Sequence, residues 1–166
     1  MKIDDEIDES GRYRYWMRVE VERGLFDPPR RVRRYLLLNP STASADAGLD
    51  PTTQRLLDFA MRDGYHVYEL ANTYGLRATD PDELWKIEDP VGPKNDHWIT
   101  ALVDGAHKEG EPLVVAWGTN LRRERLRQLR KILICDLVCF GTNVDGSPTH
   151  PLYLNRFTKL VPWTWP

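Results

Sequence analysis

The chain has 166 residues, of which 41% are hydrophobic and 29% charged, a composition typical of one folded domain and unlike that of disordered or fibrous proteins. Its apolar runs are far shorter than the roughly 20 residues of a membrane-spanning helix, and its acidic N-terminus differs from a targeting peptide, so we expect a cytoplasmic protein that does not contact membranes. Because 23 basic residues stand against 25 acidic ones, any affinity for nucleic acid must come from local patches of charge.

The N-terminal part of the chain predicts a loose segment followed by a strand. Residues 1–10 are acidic and are expected to form a loose tail, which leaves residues 11–166 as the single folded domain. Apolar and polar residues alternate along residues 12–21, a pattern that indicates a half-buried strand. A turn is predicted between Gly24 and Pro29, before the next apolar run.

Two buried strands with a helix between them are predicted next. The apolar run at residues 35–38 indicates a strand that is covered on both faces, and residues 66–71 have the same character. Between them, Asp50 and Pro51 are typical of the N-cap and first residue of an amphipathic helix, which is expected to end before Gly64. This order of elements is typical of two parallel strands joined by a helix.

The second half of the chain continues this alternation of helices and strands. Asp80 is the predicted cap of a short helix, Asn95 is the predicted cap of another, and residues 121–133 predict a helix with an arginine-rich outer face. Strands are predicted at residues 113–117 and 137–140. The pattern predicts an α/β fold, a three-layer αβα sandwich whose mostly parallel sheet of about four strands carries an antiparallel N-terminal strand at one edge.

Polar residues follow each of the four predicted parallel strands. Ligands of such sheets bind beyond the carboxyl ends of the strands, so these residues are expected to lie at one site. They are Asn39-Pro40-Ser41-Thr42 after the first strand, Asn72-Thr73-Tyr74 after the second, Gly118-Thr119-Asn120 after the third, and His150-Pro151 in the loop after the fourth.

Several common chemistries are not supported by the motifs. The glycine-rich loops that bind the phosphates of nucleoside triphosphates or dinucleotides do not occur in the sequence. Ser41 and His150 are candidates for serine hydrolase chemistry, but the glycines of a nucleophile elbow are missing around Ser41, which disfavours it. The scattered histidines and the pair Cys135 and Cys139 have no metal-site spacing, so neither a metal nor another cofactor is expected.

Four short segments, in this order along the chain, carry a family resemblance. They are residues 36–45 with Asn39-Pro40, residues 70–73 with Asn72, residues 115–118, and residues 149–151 with His150. Together they resemble the four strand-end motifs of the uracil-DNA glycosylase superfamily, and the first is most similar to its mismatch-specific and thymine-removing branch. This resemblance implies a glycosylase-like fold.

Further motifs extend the resemblance over most of the chain. They are Asn39-Pro40-Ser41-Thr42-Ala43, Asp50-Pro51-Thr52, residues 77–81, residues 89–96 and residues 150–154. Over residues 13–163 the chain therefore also resembles a bacterial and phage family whose function is unknown, domain of unknown function 1643.

The glycosylase resemblance implies a role for each residue of the site. Asn39 would hold the attacking water, and His150 would donate a hydrogen bond to the base as negative charge develops on it. Asn72 would bind the edge of a pyrimidine through its carboxamide. Ser41 replaces the tyrosine of the uracil-specific branch, which leaves room for a substituent at C5, and Tyr74 is the predicted stacking partner of the base.

The same resemblance implies contacts with DNA, single-stranded or double-stranded. Arg77, Arg122 and Arg123 are expected to bind phosphates, and Leu154 is the apolar candidate for insertion between bases. We therefore expect a DNA N-glycosylase-like hydrolase, which flips a pyrimidine out of DNA and hydrolyses its N-glycosidic bond in repair or DNA modification. Two alternatives stay open: a non-catalytic reader of modified bases in DNA, and an N-glycosidase that acts on free nucleosides or nucleotides.

Overall fold

The computed structural model describes residues 1–22, 24, 30–43 and 48–166. Within these residues the chain forms a seven-stranded sheet and three α-helices. The strands are β1 (Lys2–Ile7), β2 (Arg14–Glu20), β3 (Val32–Leu37), β4 (Val67–Asn72), β5 (Leu113–Val115), β6 (Leu137–Cys139) and β7 (Val161–Pro162), and the helices are α1 (Pro51–Arg62), α2 (Asn95–Glu109) and α3 (Arg123–Ile132).

The strands pair in the order β1-β2-β4-β3-β5-β6-β7. The central strands β4, β3, β5 and β6 run parallel, whereas β1, β2 and β7 join the sheet through antiparallel pairing. The predicted α/β class and the four parallel apolar strands are therefore confirmed, but the sheet is mixed and has more strands than predicted.

The N-terminal segment forms a strand in place of the loose tail predicted over residues 1–10. Lys2–Ile7 pairs antiparallel with β2, with Ile3 opposite Val19. Backbone pairing with β2 orders this segment, although its acidic side chains gave no periodic apolar pattern from which a strand could be predicted. As a result, β2 is the second strand of the sheet and not the edge strand that its alternation suggested.

The helices cover both faces of the sheet. Leu36 of β3 belongs to an apolar cluster with residues of α2 and α3, whereas its neighbours Tyr35 and Leu37 belong to a second cluster with residues of α1. Because successive side chains of a strand point to opposite faces, the two clusters lie on opposite sides of the sheet.

Helix α1 and the short helix after Asp80 both begin at the caps that the sequence predicts. Asp50 is the N-cap of α1, where its carboxylate accepts a hydrogen bond from the Thr53 N–H at 2.9 Å, and Pro51 is the first helical residue. The segment after Asp80 forms the predicted short helix, which is a 3₁₀ helix (Pro81–Lys86) with Asp80 as its N-cap. The sequence pattern did not distinguish this type from an α-helix.

Two further differences concern a cap and a loop. Lys94, and not Asn95, is the N-cap of α2, and the side chain of Asn95 is fully buried. The loop predicted up to residue 151 leads into a 3₁₀ turn (Pro151–Tyr153). Apart from Gly24, the turn predicted up to Pro29 lies outside the described residues.

None of the described helices combines the length and apolar character that crossing a bilayer requires.

Arg34 links β3 to β4 and α2 through a buried ion-pair network. The residue is 5% exposed, and its guanidinium binds Glu69 of β4 at 3.0 Å and Glu109 of α2 at 3.0 Å. Gly105 of α2 packs directly on this guanidinium, because a Cβ atom at Gly105 would lie only 2.6 Å from the Arg34 Nε. The contact leaves no room for a side chain at residue 105.

We predict that Gly105→Ala lowers the free energy of unfolding by roughly 1–3 kcal/mol, because overpacking displaces the buried guanidinium. At an exposed helical position the same change would stabilise the protein by about 1 kcal/mol. Urea unfolding measures the difference. In an Arg34→Ala background the Gly105→Ala change should become neutral or stabilising, and an undiminished loss there would contradict the assignment.

Candidate functional site

A cavity of about 790 Å³ opens at the carboxyl ends of the parallel strands. Its volume lies within the roughly 300–1,000 Å³ typical of small-molecule sites. The structure brings Asn39, Asn72 and His150 to this one cavity, although they are far apart in the sequence. The other predicted rim residues that line it are Pro40, Ser41, Thr42, Gly118, Thr119 and Asn120.

The carboxamide of Asn39 is fixed in one orientation. Its Nδ2 donates to the carbonyl oxygens of Ala78, at 2.8 Å, and Pro40, at 3.2 Å. These bonds leave Oδ1 as the acceptor, and no hydrogen bond to it is made by the described residues. Asn39 is therefore arranged to accept a hydrogen bond, for instance from a water, but a carboxamide cannot remove a proton as a carboxylate can.

The carboxamide of Asn72 is buried and has no protein partner in the described part of the chain. The residue is only 3% exposed and lines the cavity. Most buried polar side chains in folded proteins are hydrogen-bonded to protein or water. Asn72 thus presents both an unpaired donor and an unpaired acceptor to whatever occupies the cavity.

Two buried side chains from the helices hold the backbone at Asn72. The Nδ2 of Asn95 donates to the carbonyl oxygens of Asn72, at 2.9 Å, and Thr73, at 3.2 Å, while the Nε of Arg125 donates to the Thr73 oxygen at 2.8 Å. Arg125 also forms an ion pair with Asp96. Sequence patterns predicted Asn95 as a helix cap and Arg125 as part of an exposed face, so neither was recognised as a positioning residue.

His150 is held as a neutral hydrogen-bond donor. Its Nδ1 accepts the backbone N–H of Leu152 at 3.4 Å, so in the neutral imidazole the proton lies on Nε2. Burial lowers the pKa of His150, and the nearby carboxylate of Asp50 only partly offsets this effect. The loop before His150 is fixed by the Gly118 N–H, which donates to the Pro148 oxygen at 2.9 Å.

Asp50 contributes a carboxylate to the cavity in addition to capping α1. Ser41 Oγ donates to its Oδ2 at 2.6 Å, so the Ser41 hydroxyl is engaged and not free. Burial acts to raise the pKa of Asp50, but hydrogen bonds from Ser41 and Thr53 outweigh it and hold this pKa below the usual value. The cavity therefore contains a negative charge, which the role of Asp50 as a helix cap did not predict.

Tyr74 is placed away from the cavity, in contrast to its predicted stacking role. Its side chain is 2% exposed and packs edge to face against Trp85, with 5.4 Å between ring centroids. Its hydroxyl accepts the backbone N–H of Arg122 at 3.4 Å. Both faces of the ring are enclosed in the core, so no base can stack on them.

The three arginines predicted to contact phosphates differ in their surroundings. Arg77 donates to the carbonyl oxygens of Gly11, at 3.0 Å, and Thr42, at 2.7 Å, and so holds the loop that follows Asn39. The guanidinium of Arg122 lies 3.9 Å from the centroid of the Trp85 ring. Arg122 and Arg123 are both exposed, and Arg123 lies in the first turn of α3.

Leu154 lines the cavity but also packs against the apolar cluster of α1. Tyr153, in contrast, lines the cavity while 92% of its surface is exposed. The side chain that protrudes at the cavity is therefore Tyr153, which no sequence pattern indicated. Leu154 instead packs against the apolar cluster. In the described residues, no group of three or more His, Cys, Asp or Glu side chains could hold a metal ion.

Comparison with known proteins gives one match. The family model of a protein of unknown function (DUF1643) matches residues 14–152. No curated protein and no solved structure matches the chain significantly.

We predict that His150 makes the protein less stable as the pH falls. Because burial depresses the pKa of the folded-state imidazole, the unfolded chain takes up the proton more readily below the ordinary value of about 6.5, and stability is lost there. His150→Gln should show a smaller loss in the free energy of unfolding between pH 8 and 5, measured by urea titration. The control is the same change at His107, which is exposed on α2; an equal pH dependence of wild type and His150→Gln would contradict the assignment.

Proposed function

The chain belongs to the DUF1643 family, and from the cavity of this member we propose that it binds a pyrimidine flipped out of DNA and hydrolyses its N-glycosidic bond. The observation that carries this proposal is the buried carboxamide of Asn72, which has no protein partner in the described residues and lines a cavity shared with Asn39 and His150. A buried amide of this kind calls for a ligand with a matching donor and acceptor.

A pyrimidine ring satisfies that requirement. Its base-pairing edge offers a donor next to an acceptor, and the Oδ1 and Nδ2 atoms of Asn72 can bind both at once. The edge is accessible only when the base is unpaired, which means extrusion from a duplex or a single-stranded substrate. Ser41 is engaged with Asp50 and carries no bulk toward the cavity, which supports acceptance of a substituent at C5.

Three side chains of the cavity would take part in the hydrolysis. The bond between the sugar C1′ and the base nitrogen breaks, its electron pair leaves with the base, and a water oxygen bonds to C1′ while its proton passes to solvent. Asn39 Oδ1 would orient the water, and His150 Nε2–H would donate to the base oxygen as it gains negative charge. The ionised Asp50 favours the positive charge that develops on the sugar.

The proposal extends to the fold and to the DNA contacts. Helix α1 on one face of the sheet, with α2 and α3 on the other, supports a three-layer sandwich of the uracil-DNA glycosylase-like type. Arg123 and Arg127 are exposed on α3, which follows the cavity-lining residue Gly118 in the chain, and this exposure suits them to binding backbone phosphates. We place this activity in the cytoplasm as part of the proposal. Tyr153 at the mouth is the side chain best placed to stack on a neighbouring base.

A second function is favoured by one observation. The water-holding position carries the Asn39 carboxamide, which is a poor general base, so the same cavity also suits a protein that reads modified bases without hydrolysing them. Such a reader would retain binding through Asn72 and would not release the base.

The proposed function is tested with duplex and single-stranded oligonucleotides that carry uracil, mismatched thymine or 5-hydroxymethyluracil. Base release followed by alkali treatment breaks the strand, and we expect breakage at one or more of these bases. Asn39→Ala should reduce release by roughly 100-fold and retain binding, whereas Asn72→Ala should lose both. Asn155→Ala is the control, because Asn155 is exposed and does not line the cavity.

Each other result has a defined meaning. Selective binding without strand breakage would favour the reader and overturn hydrolysis. Release from free nucleosides alone would overturn the assignment to DNA. Unchanged release in Asn39→Ala or Asn72→Ala would remove that residue from the site.

A further inference from the structure

A β-bulge at Tyr15 interrupts the alternation of β2. Glu6 of β1 pairs with Trp16, but the next residue, Ile7, pairs with Arg14, so that Tyr15 is the extra residue. In a regular strand Arg14 would point to the same face as Trp16, whose ring stacks on Trp98 of α2. The bulge instead turns Arg14 to the opposite face, where it lines the cavity.

The guanidinium of Arg14 is buried at the cavity wall and has no ion-pair partner among the described residues. The residue is 3% exposed, and its Nη1 donates to the carbonyl oxygen of Ala43 at 3.0 Å. No carboxylate in the described part of the chain forms an ion pair with it. Burial lowers the pKa of Arg14 and the neighbouring charge of Arg77 lowers it further, while the carboxylates of Asp5 and Asp50 offset these effects only in part. A buried cation without an ion pair is costly to keep, and an anionic ligand would offset that cost.

Arg14 and Asn72 project to the same face of neighbouring strands. Tyr68 and Leu70 of β4 pack in the cluster of α1, and the alternation of β4 places the Asn72 side chain on that face as well. Strands β2 and β4 are adjacent in the sheet. A ligand that pairs with the Asn72 carboxamide therefore lies within reach of a second, positively charged group.

We propose that Arg14 forms an anion subsite of the cavity, so that the ligand carries a phosphate or carboxylate group next to the pyrimidine edge bound by Asn72. The pyrimidine part rests on the proposed function, whereas the anion part is tested by binding alone. The cavity also holds the Asp50 carboxylate, but its oxygens already accept hydrogen bonds from Ser41 and Thr53. The anion is thus directed to Arg14 and away from Asp50.

Two chemical sources can supply the anion, and matched ligands separate them. One is the phosphate of a nucleotide, probed by 2′-deoxyuridine 5′-monophosphate against 2′-deoxyuridine. The other is an acidic substituent on the ring, probed by 5-carboxyuracil against uracil. Inorganic phosphate tests the subsite without a base. The full chain is titrated with each compound by calorimetry at low ionic strength, where the attraction between charges is least screened.

We expect the anionic member of one pair to bind at least about tenfold more tightly than its neutral partner. Arg14→Met should abolish this advantage, and Arg14→Lys should keep part of it. Urea unfolding of each variant verifies that it is folded. Equal affinities within both pairs in the wild-type protein would overturn the subsite whether or not the variants fold, as would an advantage that survives in Arg14→Met.

Two further outcomes matter. One tests the subsite independently of the proposed function, and the other tests whether a carboxylate of the chain itself occupies the subsite. Base release from DNA without any preference for anionic ligands would overturn the subsite alone, whereas the preference without release supports the subsite and overturns hydrolysis. Asp46 lies in residues 44–47, outside the described part. A preference that appears only in Asp46→Asn would mean that this carboxylate fills the subsite, and would overturn the proposal.

Discussion

The cavity depends on the hydrogen bonds that hold the backbone at the end of β4. The strand stops at Asn72, and donors from three directions bind the backbone there: Asn95 of α2, Arg125 of α3, and Thr73 itself, whose N–H donates to Leu37 O at 2.7 Å. These bonds join the end of β4 to the end of β3 and to both helices. The backbone from which the Asn72 carboxamide projects is therefore fixed before a ligand binds.

The loop after β3 is built on the same plan. Carbonyl oxygens of its residues accept from Arg14 and Arg77, while Asn39 donates to Ala78 and the Ser41 hydroxyl to Asp50. Both walls of the cavity are thus held by hydrogen bonds, most of them from guanidinium or amide donors to backbone oxygens. Such walls hold a ligand without rearranging, because their polar groups are oriented before it arrives.

The sequence pattern predicted those elements whose position depends on a cap residue or on a short apolar run. Asp50 capped α1, and the apolar runs identified the parallel strands, which in turn predicted that polar strand ends would meet. Prediction failed where contacts between residues far apart in the sequence determine how a side chain is placed. The bulge at Tyr15 shifts the register so that period-two alternation puts Arg14 on the wrong face. Asn95 is a residue type typical of helix caps, but here it is fully buried. The residues around Tyr74 in the sequence likewise do not indicate that its ring is buried against Trp85.

The acidic strand β1 has a consequence for how the protein behaves in a crowded cell. It forms one outer edge of the sheet, where unpaired backbone groups would otherwise recruit a strand from another molecule. Asp4 and Glu6 along this edge would lie near like charges of a second copy, so the repulsion disfavours growth of the sheet into aggregates. At the other edge, Pro162 of the two-residue β7 lacks an N–H to donate. Both ends of the sheet are thereby protected against self-association.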